Sequence, residues 1–186
     1  MLFELTEFNC KVWISAFDGR ADAASIIGTV NDRFPEATIQ LFDIDRVAGT
    51  RHLLLAAYNA EKSFNSKRRI SRSLGMELLL FVSGTTQITE ALERVGINME
   101  TKRSAIIVLA TSDDMIASIS SMLGEAFRRK EDDRLLDRWS DERIASVQRT
   151  FKIGVGELRA TNRTGEVEEA VQKLAIERSA MLAIAK

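Results

Sequence analysis

Runs of apolar residues alternate with polar segments along the chain, and the most apolar run lies near its middle. Six of the seven residues in 76–82 are apolar, and the exception is Glu77. Gly75 and Gly84 border this run. A short, continuous apolar run between glycines is typical of a strand that is buried on both faces. The pattern therefore predicts that residues 76–84 form the central strand of a sheet.

Three other segments have strand patterns. Apolar residues alternate with polar ones, or follow one another without interruption, in residues 11–17, 37–42 and 104–110. Short segments of this kind, rich in β-branched and aromatic residues, favour strands. Together with residues 76–84 they predict a sheet of four strands.

Apolar residues at helical spacing predict helices in most of the remaining chain. These helices cover residues 22–34, 47–64, 85–95, 112–127, 140–151 and 165–184. Asp22, Ser112 and Ser140 stand at the start of three of them and are suitable N-cap residues. Pro35 ends the first helix, and the glycines in 154–156 indicate a turn.

The segment before the apolar run carries the strongest local charge. Residues 62–76 contain five basic residues and no acidic one, although the net charge of the whole chain is −1. Residues 1–50 contain eight acidic and four basic residues. We predict that residues 65–74 form a short basic helix with Ile70 and Leu74 facing the core. Any attraction for an anionic partner is therefore local.

The segment after the apolar run has features of an anion-binding turn. Residues 83–87 have the sequence Ser-Gly-Thr-Thr-Gln and lead into a predicted helix. Free backbone N–H groups at the start of a helix bind phosphate groups, and a glutamine side chain is able to read a base edge. For an anion-binding turn, we expect the basic residues to lie beside it. An ordinary strand-to-helix turn beside a solvated surface explains the same residues, and the spacing alone does not decide between the two.

The chain contains few residues of the types that carry catalysis. His52 is its only histidine and Cys10 its only cysteine, which argues against a serine triad, a multi-thiolate metal site and an internal disulfide. Neither glycine-rich nucleotide-binding motif occurs. We therefore expect no catalytic residue, metal, cofactor or small-molecule substrate. The lack of a long apolar run predicts no membrane contact, and the single cysteine suits a cytoplasmic protein.

The last predicted helix is apolar on two sides. The first stripe consists of Val167, Val171, Leu174, Ala175, Met181 and Leu182. The opposite stripe consists of Ile176, Ala180, Ala183 and Ile184. Such a helix is either deeply buried or shared with a protein partner, and the pattern favours the partner because deep burial is harder at a chain end. Arg178 lies in the first stripe, where its charge requires an acidic partner or a wet interface.

The order and spacing of several segments match a known family. These segments are residues 58–64, the basic segment through Arg72, and residues 77–84, 87–88, 90–92, 95–97 and 174–182. They resemble the kinase-binding subunit of the KEOPS (EKC) complex, the PRPK-binding-protein family. The resemblance covers most of residues 50–111 and 166–184, whereas residues 1–47 agree only in length and in the order of elements.

The resemblance implies an α/β (α+β-like) fold and a non-catalytic function. It implies a single domain over residues 1–186, in which a small, mostly antiparallel sheet of about four strands is packed by about six or seven helices. Proteins of this family bind the kinase-like ATPase subunit of KEOPS, a complex that makes the threonylcarbamoyl modification of adenosine in tRNA. They also help to hold the single-stranded 3′ CCA end of the tRNA.

The resemblance also identifies two sets of site residues in this sequence. The RNA-facing candidates are Lys67, Arg68, Arg69, Arg72, Ser83, Gly84 and Gln87. The kinase-facing candidates are Leu174, Arg178, Met181 and Leu182. Two alternatives stay open. One is a protein that regulates a kinase without binding RNA, and the other is a small-molecule enzyme that uses acidic residues, for which the sequence offers no set of catalytic groups.

Overall fold

A four-stranded antiparallel sheet forms the centre of the computed structural model, which describes residues 1–66, 69–163 and 165–184. Its strands are β1 (Leu2–Leu5), β2 (Cys10–Asp18), β3 (Thr38–Asp43) and β4 (Arg103–Ala110). Their order is β1-β2-β4-β3, so β1 and β3 are the edge strands. The central strands β2 and β4 are paired from Lys11 opposite Ala110 to Asp18 opposite Arg103.

Eight α-helices in the described residues cover the two faces of this sheet. They are α1 (Ala23–Arg33), α2 (Gly49–Phe64), α3 (Leu74–Ser83), α4 (Ile88–Val95), α5 (Asp113–Phe127), α6 (Asp141–Thr150), α7 (Val155–Thr161) and α8 (Val167–Ile184). Val12, Ile14 and Ala16 of β2 face the core formed with α2 and α3, and Trp13 and Phe17 face the core formed with α1 and α5. This alternation follows from the two-residue period of a strand. Because α8 packs along α2 and also contacts α3, the elements form one α+β domain.

The predicted helix starts at three polar residues are confirmed. Asp22 accepts hydrogen bonds from two backbone N–H groups at the start of α1. Ser112 and Ser140 each accept one at the starts of α5 and α6. The first helix also ends before Pro35, as predicted. Caps and prolines act on neighbouring residues only, which is why the sequence alone locates them.

The predicted central strand is wrong, because residues 76–83 belong to helix α3. This helix contacts β3, α2, α4 and α8, and every residue from 78 to 83 is buried. A helix that is enclosed on all sides is apolar all round, so no polar stripe reveals its period. The fourth strand is β1 instead, which pairs with β2 at the edge of the sheet. The sequence-based prediction missed this half-exposed strand.

The predicted basic helix is also wrong. α2 ends at Phe64, and Ser73 caps α3 by accepting a hydrogen bond from the N–H of Met76. The described residues between these helices, 65–66 and 69–73, form turns, bends and irregular backbone. Neighbouring cations repel one another in a helix, and a buried carboxylate offers the backbone of this segment other hydrogen bonds. Lys67 and Arg68 lie outside the described residues.

The glycines in 154–156 begin a helix and do not form the predicted turn region. Gly154 is the N-cap of α7, and its N–H donates to the Glu157 carboxylate at 3.0 Å. This helix helps to raise the number from the expected six or seven to eight. Among the described residues, none of the helices is both long enough and apolar enough to cross a membrane.

Candidate functional site

A buried carboxylate shapes the segment that carries the predicted RNA-facing cations. We call residues 69–73 the basic loop. Glu77, in the first turn of α3, is fully buried and accepts hydrogen bonds from the N–H groups of Ile70 (3.0 Å) and Ser71 (2.8 Å). Its carboxylate also accepts hydrogen bonds from the hydroxyls of Ser71 (2.8 Å) and Ser63 (2.6 Å). Glu77 therefore ties the basic loop to the end of α2.

The two described cations of the basic loop are exposed. Arg69 and Arg72 both face solvent, and neither forms an ion pair with another described residue. The Arg69 guanidinium lies 6.0 Å from the centre of the Phe64 ring, which is within the range of a cation–π contact. The two guanidinium groups are thus available to an anionic partner, whereas the placement of Lys67 and Arg68 lies outside the described residues.

The turn that follows α3 is built tightly against α8. We call residues 83–87 the glycine turn. Gly84 has a φ of +66°, and a Cβ at this position would lie 3.2 Å from the carbonyl oxygen of Arg178. Glycine suits this position because it accepts both the left-handed conformation and the close approach. Ser83 is buried, and its hydroxyl donates to the carbonyl of Leu80. The Ser83 side chain therefore faces the protein interior.

The start of α4 is surrounded by the protein's own polar groups. The Thr85 hydroxyl donates to Glu90 at 2.7 Å and accepts a long hydrogen bond of 3.4 Å from the N–H of Gln87. Arg94 donates to Glu90 and to the Ser83 carbonyl. The Thr85 hydroxyl and then Arg94 lower the pKa of Glu90, so this carboxylate is charged at neutral pH and opposes an anion. The exposed side chains of this turn are those of Thr86 and Gln87.

The basic loop and the glycine turn lie at opposite ends of α3. The sequence-based reading placed the cations beside the turn, and the structure corrects this. α3 has ten residues, which corresponds to about 15 Å of helix. One phosphate group therefore does not reach both features, and only an extended ligand would contact them together.

The predicted kinase-facing residues of α8 are divided between the interior and the surface. Leu174 and Leu182 are only 4% and 7% exposed and pack within the core of the domain. Arg178 has the acidic partner that its position requires, because its guanidinium binds the Glu157 carboxylate. Met181 is 55% exposed, and Ile184, from the opposite stripe, is 69% exposed. The surface of this helix that is open to a partner thus centres on Met181 and Ile184, and the assignment of all four candidates to kinase binding stays a prediction.

A groove of about 410 Å³ joins the end of α2 to the end of α8. Lys62, Ser63 and Ser66 line the side next to the basic loop, and Ala183 and Ile184 line the other side. The two predicted binding surfaces therefore adjoin each other at this groove. No sequence pattern indicated this proximity, since the segments are more than a hundred residues apart.

The only histidine and the only cysteine of the chain are buried. His52 has no exposed surface, and burial lowers its pKa to about 4. Burial raises the pKa of the Cys10 thiol to about 12, and the neighbouring Glu61 contributes. Among the described residues, no three His, Cys, Asp or Glu side chains are grouped so that they could hold a metal ion. These features do not favour nucleophilic or acid–base chemistry.

A larger groove of about 740 Å³ runs between α1 and α4. Its walls include Ile27, Leu92 and Met99, and it lacks converging acidic side chains. It does not provide the set of catalytic groups that an enzyme acting through acidic residues would need.

Comparisons with known proteins assign the chain to a family. No curated protein matches the sequence at a significant level. A family model described as kinase binding protein CGI-121 matches residues 17–184, which include every element from α1 to α8. The matched range is nearly the whole chain and extends well beyond the segments on which the resemblance was based. The chain therefore belongs to the CGI-121 family of kinase binding proteins.

Proposed function

We propose that this protein is the kinase-binding subunit of a KEOPS complex and that it contributes to tRNA threonylcarbamoyladenosine synthesis without catalysing a step itself. Membership of the kinase binding protein CGI-121 family supports the kinase partner. The resemblance to the KEOPS subunit supports the assignment of that kinase to the kinase-like ATPase of the complex. The proposal concerns two surfaces, one for the kinase and one for the single-stranded 3′ end of tRNA.

The exposed apolar end of α8 is the observation that carries the kinase half. Met181 and Ile184 are three residues apart, so they lie on neighbouring parts of one helix surface. Both are more than half exposed, although the rest of the helix packs on α2, α6 and α7. The centres of protein interfaces are apolar and contain few charges. We propose that the kinase covers these two side chains, and that Leu174 and Leu182 support the surface from beneath.

The double substitution Met181→Glu and Ile184→Glu is expected to weaken binding of the kinase-like ATPase about 30-fold, the loss typical of an interface hot spot. Titration calorimetry with the purified kinase measures this change. Because both side chains are exposed, the melting temperature should stay close to that of the unsubstituted protein. Met99→Glu is the matched control, since Met99 is 83% exposed and lies outside α8. An unchanged kinase affinity in the double variant would reject this surface.

The basic loop carries the RNA half of the proposal. Arg69 and Arg72 are exposed and have no acidic partner among the described residues. Lys62 adds a third cation at the groove beside the loop. We propose that these cations contact phosphates of the tRNA 3′ end. The glycine turn contributes through the exposed Gln87, because the Ser83 side chain is buried and Gly84 serves the packing on α8.

The double substitution Arg69→Glu and Arg72→Glu is expected to weaken tRNA binding and to reduce its salt dependence. Each lost contact with a single-stranded phosphate lowers the slope of log affinity against log salt by about 0.7, so two contacts lower it by about 1.4. Filter binding of tRNA with and without its CCA end, over a range of salt concentrations, measures both quantities. Arg33→Glu with Lys130→Glu is the matched control, because both are exposed cations in other parts of the fold. Equal affinity and slope in the two double variants would remove the RNA half.

A protein that regulates the kinase without binding RNA is the second candidate. The separation of the basic loop from the glycine turn by the length of α3 favours it, because the two features do not form one compact anion site. The same experiments separate the candidates. Loss of kinase binding in the α8 variant, together with unchanged tRNA binding in the basic-loop variant, would establish this function.

A further inference from the structure

We infer that Glu77 is a positioning residue for anion binding: its buried carboxylate holds the basic loop in the conformation that directs Arg69 and Arg72 outward. This inference rests on the proposed RNA contact of the basic loop. It assigns a role to the one acidic residue in the most apolar segment of the chain. Glu77 does not itself face a ligand, since it has no exposed surface.

The hydrogen bonds of Glu77 converge from two elements. The N–H groups of Ile70 and Ser71 both donate to its carboxylate, at 3.0 and 2.8 Å. Ser63 adds a hydroxyl from the last turn of α2 at 2.6 Å. Buried carboxylates are stable only when donors of this kind satisfy them. Because two consecutive N–H groups bind the same carboxylate, the backbone between Arg69 and Arg72 is turned towards the interior.

This arrangement determines where the flanking cations lie. Ser71 is buried, and its hydroxyl oxygen lies 2.8 Å from the Ser73 carbonyl oxygen as well as from Glu77, so its single hydrogen is shared between these two acceptors next to the cap of α3. Ile70 is half-buried against the core. Since the two middle residues point inward, the residues on either side of them, Arg69 and Arg72, are left on the surface, where both are exposed.

The negative charge of Glu77 disfavours anion binding, whereas its hydrogen bonds to the basic loop favour it. A substitution that changes both therefore distinguishes a positioning role from an electrostatic one. A carboxylate beneath the basic loop repels a phosphate, so its neutralisation alone would strengthen anion binding. Replacement by glutamine also leaves one acceptor oxygen for donors that now share two, and in either orientation the NH₂ group faces a donor, the Ser63 hydroxyl or the Ser71 N–H, from which it cannot accept a hydrogen bond. A positioning role therefore predicts weaker binding in Glu77→Gln, and a purely electrostatic role predicts stronger binding.

The test compares Glu77→Gln with Glu61→Gln in filter binding of tRNA that carries its CCA end. Glu61 is also buried and close to the loop, but its carboxylate accepts a hydrogen bond from the Asn65 side chain and none from Ile70 or Ser71. We expect Glu77→Gln to bind the tRNA roughly ten-fold more weakly, and Glu61→Gln to bind it as tightly as the unsubstituted protein or more tightly. Binding by a folded Glu77→Gln that equals or exceeds that of Glu61→Gln would overturn the inference.

Two further measurements keep the inference testable. Ser71→Ala removes one hydroxyl donor and keeps the backbone N–H, so it is expected to fold and to weaken tRNA binding about three-fold; unchanged binding would count against the inference. Amide hydrogen exchange of Ile70 and Ser71 reports the loop without RNA and should accelerate in Glu77→Gln but not in Glu61→Gln. If Arg69→Glu with Arg72→Glu leaves tRNA binding unchanged, the RNA half of the proposed function fails. If that variant binds weakly and Glu77→Gln binds normally, only the positioning role fails.

Discussion

Replacing Arg143 with methionine is expected to lower the free energy of unfolding by about 3–5 kcal/mol. The guanidinium is almost completely buried and donates hydrogen bonds to four carbonyl groups. These carbonyls belong to Leu135, Leu136, Arg138 and Val47. Burial lowers the pKa of Arg143 to about 10, so the side chain is still charged at neutral pH. Its removal leaves the four acceptors without partners in the interior.

Urea unfolding at neutral pH measures this loss. Arg149→Met is the matched control, because Arg149 is on the same helix and faces solvent, and its replacement should change the stability by less than about 0.5 kcal/mol. The loss of stability in Arg143→Lys should lie between those of Arg143→Met and Arg149→Met, since a single ammonium group cannot make all the hydrogen bonds of the planar guanidinium. A loss of less than about 1 kcal/mol in Arg143→Met would show that the four bonds contribute little.

The second large effect is a loss of stability in acid that depends on His52. This side chain is fully buried, its Nδ1 accepts a hydrogen bond from the N–H of Ala48 at 3.2 Å, and its ring meets Phe151 edge-on. Burial lowers its pKa to about 4, and the backbone of Val82 opposes this fall only in part. The folded protein therefore keeps His52 neutral at a pH where the unfolded chain binds a proton.

The sign of the effect follows from these two pKa values. Above a pH of about 6.5, the ordinary pKa of histidine, both states are neutral and the full stability is present. As the pH falls from there towards 4, the unfolded chain gains a proton that the folded chain does not, so stability decreases. The expected loss approaches about 3 kcal/mol.

Urea unfolding at pH 7.5 and at pH 4.5 tests this prediction in the unsubstituted protein and in His52→Gln. Glutamine keeps a hydrogen-bond acceptor for Ala48 and does not titrate. Carboxylates such as Asp43, whose pKa is raised by burial, contribute equally to the pH dependence of stability in both proteins. The decrease in the free energy of unfolding from pH 7.5 to pH 4.5 should therefore be about 2–3 kcal/mol larger in the protein with histidine than in His52→Gln. An equal decrease in the two proteins would mean that His52 does not titrate as its burial requires.

The proposed kinase and RNA surfaces have different physical origins. The end of α8 offers apolar side chains that the domain itself leaves uncovered, at Met181 and Ile184. The basic loop offers cations on a backbone that Glu77 holds by hydrogen bonds. Because the groove beside Ser63 and Ile184 joins the two surfaces, a kinase bound at the end of α8 would lie next to RNA bound at the loop.

The sequence by itself determined the elements whose signals are local. The alternation in β2, the apolar run of β4, the Asp22 cap and Pro35 all act within a few residues, and each was assigned correctly. The family resemblance extended this to the α+β fold and the kinase-binding assignment. An acidic partner was one of the two environments expected for Arg178, although the sequence did not identify Glu157 as that partner.

Only the tertiary structure decided the features that depend on what surrounds a segment. Residues 76–83 form a helix because β3, α2, α4 and α8 enclose them, and an apolar run is compatible with either secondary structure until its neighbours are known. The same holds for the basic loop, which binds a carboxylate from the next helix and does not form a helix of its own. Burial of Leu174 and exposure of Met181 were likewise set by packing between segments far apart in the chain. Side-chain periodicity describes one element at a time, whereas coverage depends on how all of the elements pack together.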